Sequence, residues 1–301
     1  MNQHSSIKGG SLIERATEIY DFSAALRGRA APAVEAPADL PAAADPFVAP
    51  QAAQVTRAPA WTGPVQPIDR ALLVEGGFLA PHGPVTAMSE EFRLLKRDLL
   101  ALLNKSGRGN HILVCSAHSG DGKTFCAINL ALSLAAEKDR EILLVDADFG
   151  KPGVPGALGL NAGPGLMDAL ADPAIAIEDC VIRTDIASLS VLPAGQRSND
   201  DTEYLASART EMLLARLTEG RPERIIIFDS PPLLAASPAT VLASHAAVAL
   251  LVARADQTSE SALREAAGML KGAEQVQLLL NAVRFTGGRR FGSYYAKGDS
   301  Q

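Results

Sequence analysis

The sequence predicts an α/β domain built on a doubly wound, mostly parallel sheet, and three observations carry that prediction. Short runs such as ILLVD and IIIFD are apolar on both faces, as strands covered by helices on each side must be. Helical segments alternate with such runs beyond residue 83. Two of the runs end in aspartate, which sets carboxylates at the C-terminal edge of the sheet, where open α/β folds bind ligands.

Taken in order, Met1 to Gly10 is polar and lacks the apolar stretch of a secretory signal, so no export is expected. Ser11 to Arg27 reads as an amphipathic helix: Ser11 and Glu14 form a capping box, and Leu12, Ala16, Ile19 and Leu26 recur at helical spacing. It defines an N-terminal segment, 1–29. Residues 30–79 read as a disordered Ala/Pro-rich linker, because closely spaced prolines oppose both helix and sheet and little apolar area is there to bury. The α/β domain is expected over 80–284 and a flexible tail over 285–301.

Within the domain, strands are expected at His111 to Ala117, Glu141 to Asp148, Leu189 to Pro193, Arg224 to Asp229, Val248 to Arg254 and Val276 to Asn281. Helices are expected at Ser89 to Leu103, Lys123 to Glu137, Leu166 to Leu170, Thr202 to Thr218, Ala239 to Ala246 and Glu260 to Ala273. The uncharged stretch Ser230 to Ala253 is long enough to cross a bilayer, but Pro231, Pro232 and Pro238 interrupt it. A loop, a short helix and a buried strand are expected there instead.

Charge and cysteine content exclude other classes. With 28 basic and 34 acidic residues the net charge is −6, which argues against a general nucleic-acid binder. Three scattered cysteines suit neither a disulfide scaffold nor a zinc site and point to a reducing, cytoplasmic setting.

The chemistry concentrates in SAHSGDGKT, residues 116 to 124, where an apolar strand runs through a glycine-containing loop into a helix opened by Lys123 and Thr124. Such a loop lets backbone N–H groups close around phosphate oxygens; Lys123 can reach the β and γ phosphates and Thr124 can ligate Mg²⁺. The strict pattern wants glycine where Ala117 stands, and an ordinary tight turn is the plainer alternative. Asp229 suits a metal-holding position, while Asp146 and Asp148 add an acidic pair near the γ phosphate. Asp148 taken alone also reads as a turn former or cap.

SAHSGDGKT, LLVDAD and IIIFDSPP resemble the Walker A, A′ and B motifs of bacterial tyrosine kinases, the P-loop autokinases of exopolysaccharide synthesis. With SLIERA, the Ala/Pro linker and EEFRLLKR, the chain is most similar to the autokinases associated with exosortase A loci. The resemblance implies a P-loop NTPase fold like that of partitioning ATPases, with ATP and Mg²⁺ as cofactors. It assigns nucleotide binding to Ser119, Gly120, Asp121, Gly122, Lys123, Thr124, Phe125 and Asn281, and Mg²⁺ to Thr124 and Asp229. Lys123, Asp146 and Asp148 would be catalytic, Asp146 activating the tyrosine hydroxyl. Gly150 stands where the family pattern has arginine, with Lys151 following.

Glu90, Arg93 and Lys96 resemble the family's E-x-x-R-x-x-R element that joins subunits into rings, although a solvated helix face is the plainer reading of these residues. The tail carries Tyr294 and Tyr295, two of the chain's four tyrosines, as phosphoacceptors for a neighbouring subunit. The expected partners are further copies of the chain, a membrane-embedded polysaccharide co-polymerase that recruits it to the inner face of the plasma membrane, and a tyrosine phosphatase. The alternative function is a P-loop ATPase switch of the partitioning or division type, which binds a membrane partner without phosphorylating protein.

Overall fold

The structure, a computed structural model, describes residues 58–81 and 83–283. The expected N-terminal helix, the linker up to residue 57, and Tyr294 and Tyr295 lie outside the described residues. The strands are β1 (Val65–Gln66), β2 (His111–Ser116), β3 (Glu141–Asp146), β4 (Ile182–Thr184), β5 (Leu189–Leu192), β6 (Arg224–Asp229), β7 (Val248–Arg254) and β8 (Gln275–Asn281). The helices are α1 (Arg70–Glu75), α2 (Ala87–Leu103), α3 (Lys123–Ala135), α4 (Val154–Ala157), α5 (Leu166–Ala171), α6 (Ile177–Cys180), α7 (Asp201–Leu205), α8 (Ala208–Thr218), α9 (Pro238–Ala243) and α10 (Glu260–Met269).

The strands form one sheet in the order β1-β4-β5-β3-β6-β2-β7-β8, parallel throughout except where β4 meets β5. Every residue of β2 and β6 is buried, so the doubly apolar runs are central strands with both faces covered. Ile112, Val114, Ile225, Ile227 and Leu250 pack with Leu99 and Ile128 of α2 and α3. Their alternates Leu113, Cys115, Ile226, Phe228 and Leu251 pack with Leu213 and Leu217 of α8, Leu242 of α9 and Ala266 of α10. This is the doubly wound arrangement, and it brings the ends of β2, β3 and β6 side by side. Asp146 and Asp229 are direct neighbours in the β3–β6 register.

Two expectations are corrected. Residues 58–79 are not linker: β1 adds to the sheet beside β4, Asp69 caps α1 by accepting from the Ala71 and Leu72 N–H groups, and Ile68 and Leu73 are buried. Trp61 lies over the Arg224 guanidinium, 3.8 Å from carbon to ring centroid. Pro64 and Pro67 are accommodated because β1 is an edge strand, where a missing donor costs little. The single helix expected over Thr202 to Thr218 is two. Ser207 takes an extended conformation, and the hydroxyls of Ser207 and Thr210 both donate to the Tyr204 carbonyl, competing with continuation of the helix. The uncharged Ser230–Ala253 stretch is a loop, α9 and β7, and no described helix is long and apolar enough to cross a membrane.

Candidate active site

The loop between β2 and α3 is held from several sides. Gly120 and Gly122 have φ of +91° and +97°, a left-handed backbone that glycine adopts without strain. At Gly122 a Cβ would stand 2.0 Å from Asn281 Nδ2, so any other residue would have to displace that amide as well as strain the backbone. Asp121 Oδ2 accepts from the His118 N–H at 2.9 Å, and Asp121 Oδ1 accepts from the Thr258 hydroxyl at 2.9 Å. Asn281 Nδ2 donates to the Asp121 carbonyl at 3.0 Å, and Arg254 Nη1 donates to the Gly120 carbonyl at 3.0 Å. Asp121 and Asn281 therefore shape the loop from behind, and Ala117 is buried at its root, where the strict motif would have glycine.

Ser119, Gly120, Gly122, Lys123 and Thr124 line one side of a cavity of about 670 Å³. Asp148, Lys151 and Gly153 line a second side, Arg197 to Asn199 a third, and Pro231 to Pro238 a fourth. Lys123 Nζ donates to Asp148 Oδ2 at 2.7 Å. Phe125 does not face this cavity: its ring stacks on Phe78 with centroids 5.5 Å apart, and with Asn281 it lines a separate, mostly apolar cavity of about 800 Å³ against α2.

The three aspartates differ. Asp229 is fully buried, and neither of its oxygens has a hydrogen-bond partner. Burial pushes its carboxyl up to about 7, against the pull of the Lys123 charge and the nearby Thr124 hydroxyl. An orphaned buried carboxylate beside a hydroxyl and a lysine fits a divalent cation. Among the described residues no three His, Cys, Asp or Glu side chains gather as a protein-only metal cage. Mg²⁺ suits such a site, because it is ordinarily held by one or two protein oxygens together with substrate phosphates and water.

Asp146 is placed otherwise than expected. Its Oδ2 accepts from the Gly153 and Val154 N–H groups at 2.8 and 2.9 Å, and its Oδ1 from the Asp148 N–H at 3.2 Å. Burial raises its pKa despite those three bonds. Its carboxylate is spent on the backbone of the 147–154 loop and is absent from the cavity wall, whereas Asp148 faces the cavity. Lys96 is likewise turned inward: it is buried, with Nζ 2.9 Å from the Ser133 carbonyl and 2.7 Å from Glu137 Oε1, so it ties α2 to α3 and is not presented to another subunit. Glu90 and Arg93 pair on the outer face of α2.

Sequence reading missed the cavity's far walls. Arg197, Ser198, Asn199 and Asp201 belong to no motif, and the Pro231-Pro232 pair next to Asp229 was the only local signal for its wall. Arg254 was missed too, since its contact with the loop depends on the β2–β7 pairing.

A family model described as AAA domain matches residues 109–282. The chain belongs to the AAA domain family. Its relatives include bacterial tyrosine-protein kinases. It is 29% identical to the tyrosine-protein kinase wzc of Salmonella typhi over 223 residues, which are 72% of this chain and 30% of that protein. It is 26% identical to the tyrosine-protein kinase YwqD of Bacillus subtilis over 232 residues, 76% of this chain and 95% of that protein. This AAA-family chain thus spans under a third of wzc and nearly all of YwqD. The crystal structure of the VpsO kinase domain superposes with a TM-score of 0.55 at 31% identity, covering 64% of this chain and 93% of that domain.

Proposed function

We propose that the protein is an ATP-dependent protein-tyrosine autokinase that regulates exopolysaccharide synthesis or export. The observation that carries this reading is one cavity holding the Lys123–Asp148 pair and Thr124 beside the orphaned Asp229 carboxylate, in a chain similar to proteins named tyrosine-protein kinases. Thr124 and Asp229 would hold Mg²⁺, which when bound neutralises charge on the β and γ phosphates.

Lys123 exchanges Asp148 for phosphate oxygens. Asp148 Oδ2 is then available, at the cavity wall, to take the proton of an entering tyrosine hydroxyl, while Oδ1 keeps its bond from the Lys151 N–H. The bond between the γ phosphorus and the bridging oxygen of ADP breaks as the bond from phosphorus to tyrosine Oη forms, and the proton ends on Asp148. Asp146 holds the loop that carries Asp148. Loop N–H groups and the start of α3 receive the phosphates.

The acceptors are Tyr294 and Tyr295 of a neighbouring copy, so the chain works as a homo-oligomer, with Glu90 and Arg93 on the contact face of α2. A membrane-embedded polysaccharide co-polymerase recruits it to the inner face of the plasma membrane, and a phosphatase resets the tail. Incubation with γ-labelled ATP and Mg²⁺ should label Tyr294 or Tyr295, and Lys123→Met should abolish the label. Phosphate release with no labelled protein would replace this reading with the ATPase switch.

A further inference from the structure

Resting on that reading, we propose that Arg197 clamps the transferring γ-phosphoryl group. The floor of the site is acidic. Asp148 lines it and pairs with Lys123, and the buried Asp229 carboxylate lies near enough to feel the same lysine charge. A γ phosphate entering this floor needs a further cation, and two side chains of the cavity wall, Lys151 and Arg197, make no ion pair or side-chain hydrogen bond among the described residues. Lys151, in the 147–154 loop, is the lesser candidate because its ammonium offers a point charge. Arg197 offers a planar fork that matches two phosphoryl oxygens.

The loop that carries Arg197 is anchored close on both sides. Asp168 Oδ2 accepts from the Gln196 N–H at 3.2 Å and from the Gly165 N–H at 2.8 Å, fixing the chain one residue before Arg197. On the other side the Thr202 and Ser237 hydroxyls bond at 2.9 Å, joining the start of α7 to the Pro231–Pro238 wall. Only a few residues lie between those anchors, so the backbone holds Arg197 at the wall of the cavity that Lys123 also lines. The arginine takes part in no bond change. It shares the charge that gathers on the phosphoryl oxygens as the bond to ADP breaks and the bond to tyrosine forms.

The test compares full-length wild type, Arg197→Ala, Arg197→Lys and Lys151→Ala. It reads the affinities of fluorescent ATP and ADP analogues with Mg²⁺, and the single-turnover rate of label transfer. Arg197→Ala should bind the ATP analogue about tenfold more weakly, with ADP affinity unchanged, and transfer label roughly 100-fold more slowly. Arg197→Lys should recover the affinity and not the rate, and Lys151→Ala should change both by less. Because Arg197 is exposed, unfolding without nucleotide should be unaltered in Arg197→Ala.

Equal loss of ATP and ADP affinity, no loss of either affinity or rate, or a change confined to the dependence on acceptor concentration would overturn the assignment. If wild type itself labels no tyrosine, the kinase reading fails. The ATP-against-ADP comparison then still decides whether Arg197 meets the γ phosphate.

Discussion

Replacing Asp229 with asparagine should raise the stability of the nucleotide-free protein while removing its activity. The buried carboxyl is pushed up to about 7 from an ordinary 3.8. At ~1.4 kcal/mol for each pH unit, holding it ionised costs the native state about 4 kcal/mol at pH 8. A buried amide with unpaired hydrogens takes back about 1 to 3 kcal/mol, leaving a net gain of about 1 to 3 kcal/mol for Asp229→Asn. The sign follows from proton counts. Between 3.8 and about 7 the native protein keeps a proton that the unfolded chain has released, so stability falls as pH rises through that window and is level above it. At pH 4.5 only about 1 kcal/mol of the cost remains, and the advantage of asparagine should vanish or reverse.

Urea unfolding of both proteins at pH 8 and pH 4.5 measures the difference, and repeating it with saturating Mg²⁺ and ATP adds the ligand term. Wild type should gain about 2.7 kcal/mol at a hundred times its dissociation constant, and Asp229→Asn much less. An Asp229→Asn protein less stable than wild type at pH 8, or one stabilised equally at both pH values, would refute the argument that this carboxylate is held charged at a cost until a cation arrives.

Other outcomes follow from single contacts. Gly122→Ala should fold but bind ATP at least tenfold more weakly by calorimetry, since its Cβ displaces the Asn281 amide that braces the loop at a φ of +97°. Lys96→Ala should lower the urea midpoint by an amount equal to about 1 to 3 kcal/mol, because Glu137 and the Ser133 carbonyl lose a buried partner, with no change in sedimentation. Trp61→Ala should cost about 2 to 4 kcal/mol in the same assay through lost apolar area and the cation–π contact with Arg224. His111 is held neutral by burial, its pKa below 6.5, so the unfolded chain takes up this proton first. Stability present above about pH 6.5 should be lost as pH falls, and His111→Asn should flatten that slope.

The phosphate loop, the strand-end aspartates and the central strands were legible because each is a local pattern. An apolar run of six residues, two glycines before Lys-Thr, and a strand ending in aspartate are written within a few positions of one another. The sequence by itself therefore determined the sheet's core, the cavity's floor and the chemistry its residues can perform. The family resemblance gave Asp146 the tyrosine hydroxyl, but Asp146 and Asp148 are two residues apart, and only the turn of the 147–154 loop and the reach of Lys123 separate their surroundings.

Tertiary structure decided that Asp146 is a brace and Asp148 the carboxylate that lines the cavity and pairs with Lys123. It also decided that Lys96 is a buried tie and that Trp61 belongs to the domain. Two of these outcomes depend on a partner far along the chain, Glu137 against Lys96 and Arg224 against Trp61, and the third on how the 147–154 loop folds back to bring Val154 N–H to Asp146. The same holds for Arg197, whose place on the cavity wall comes from α5 and the Pro231–Pro238 loop closing around it. Local composition chooses elements, but burial and pairing are properties of distance in space, and only the packed sheet brings those distances into being.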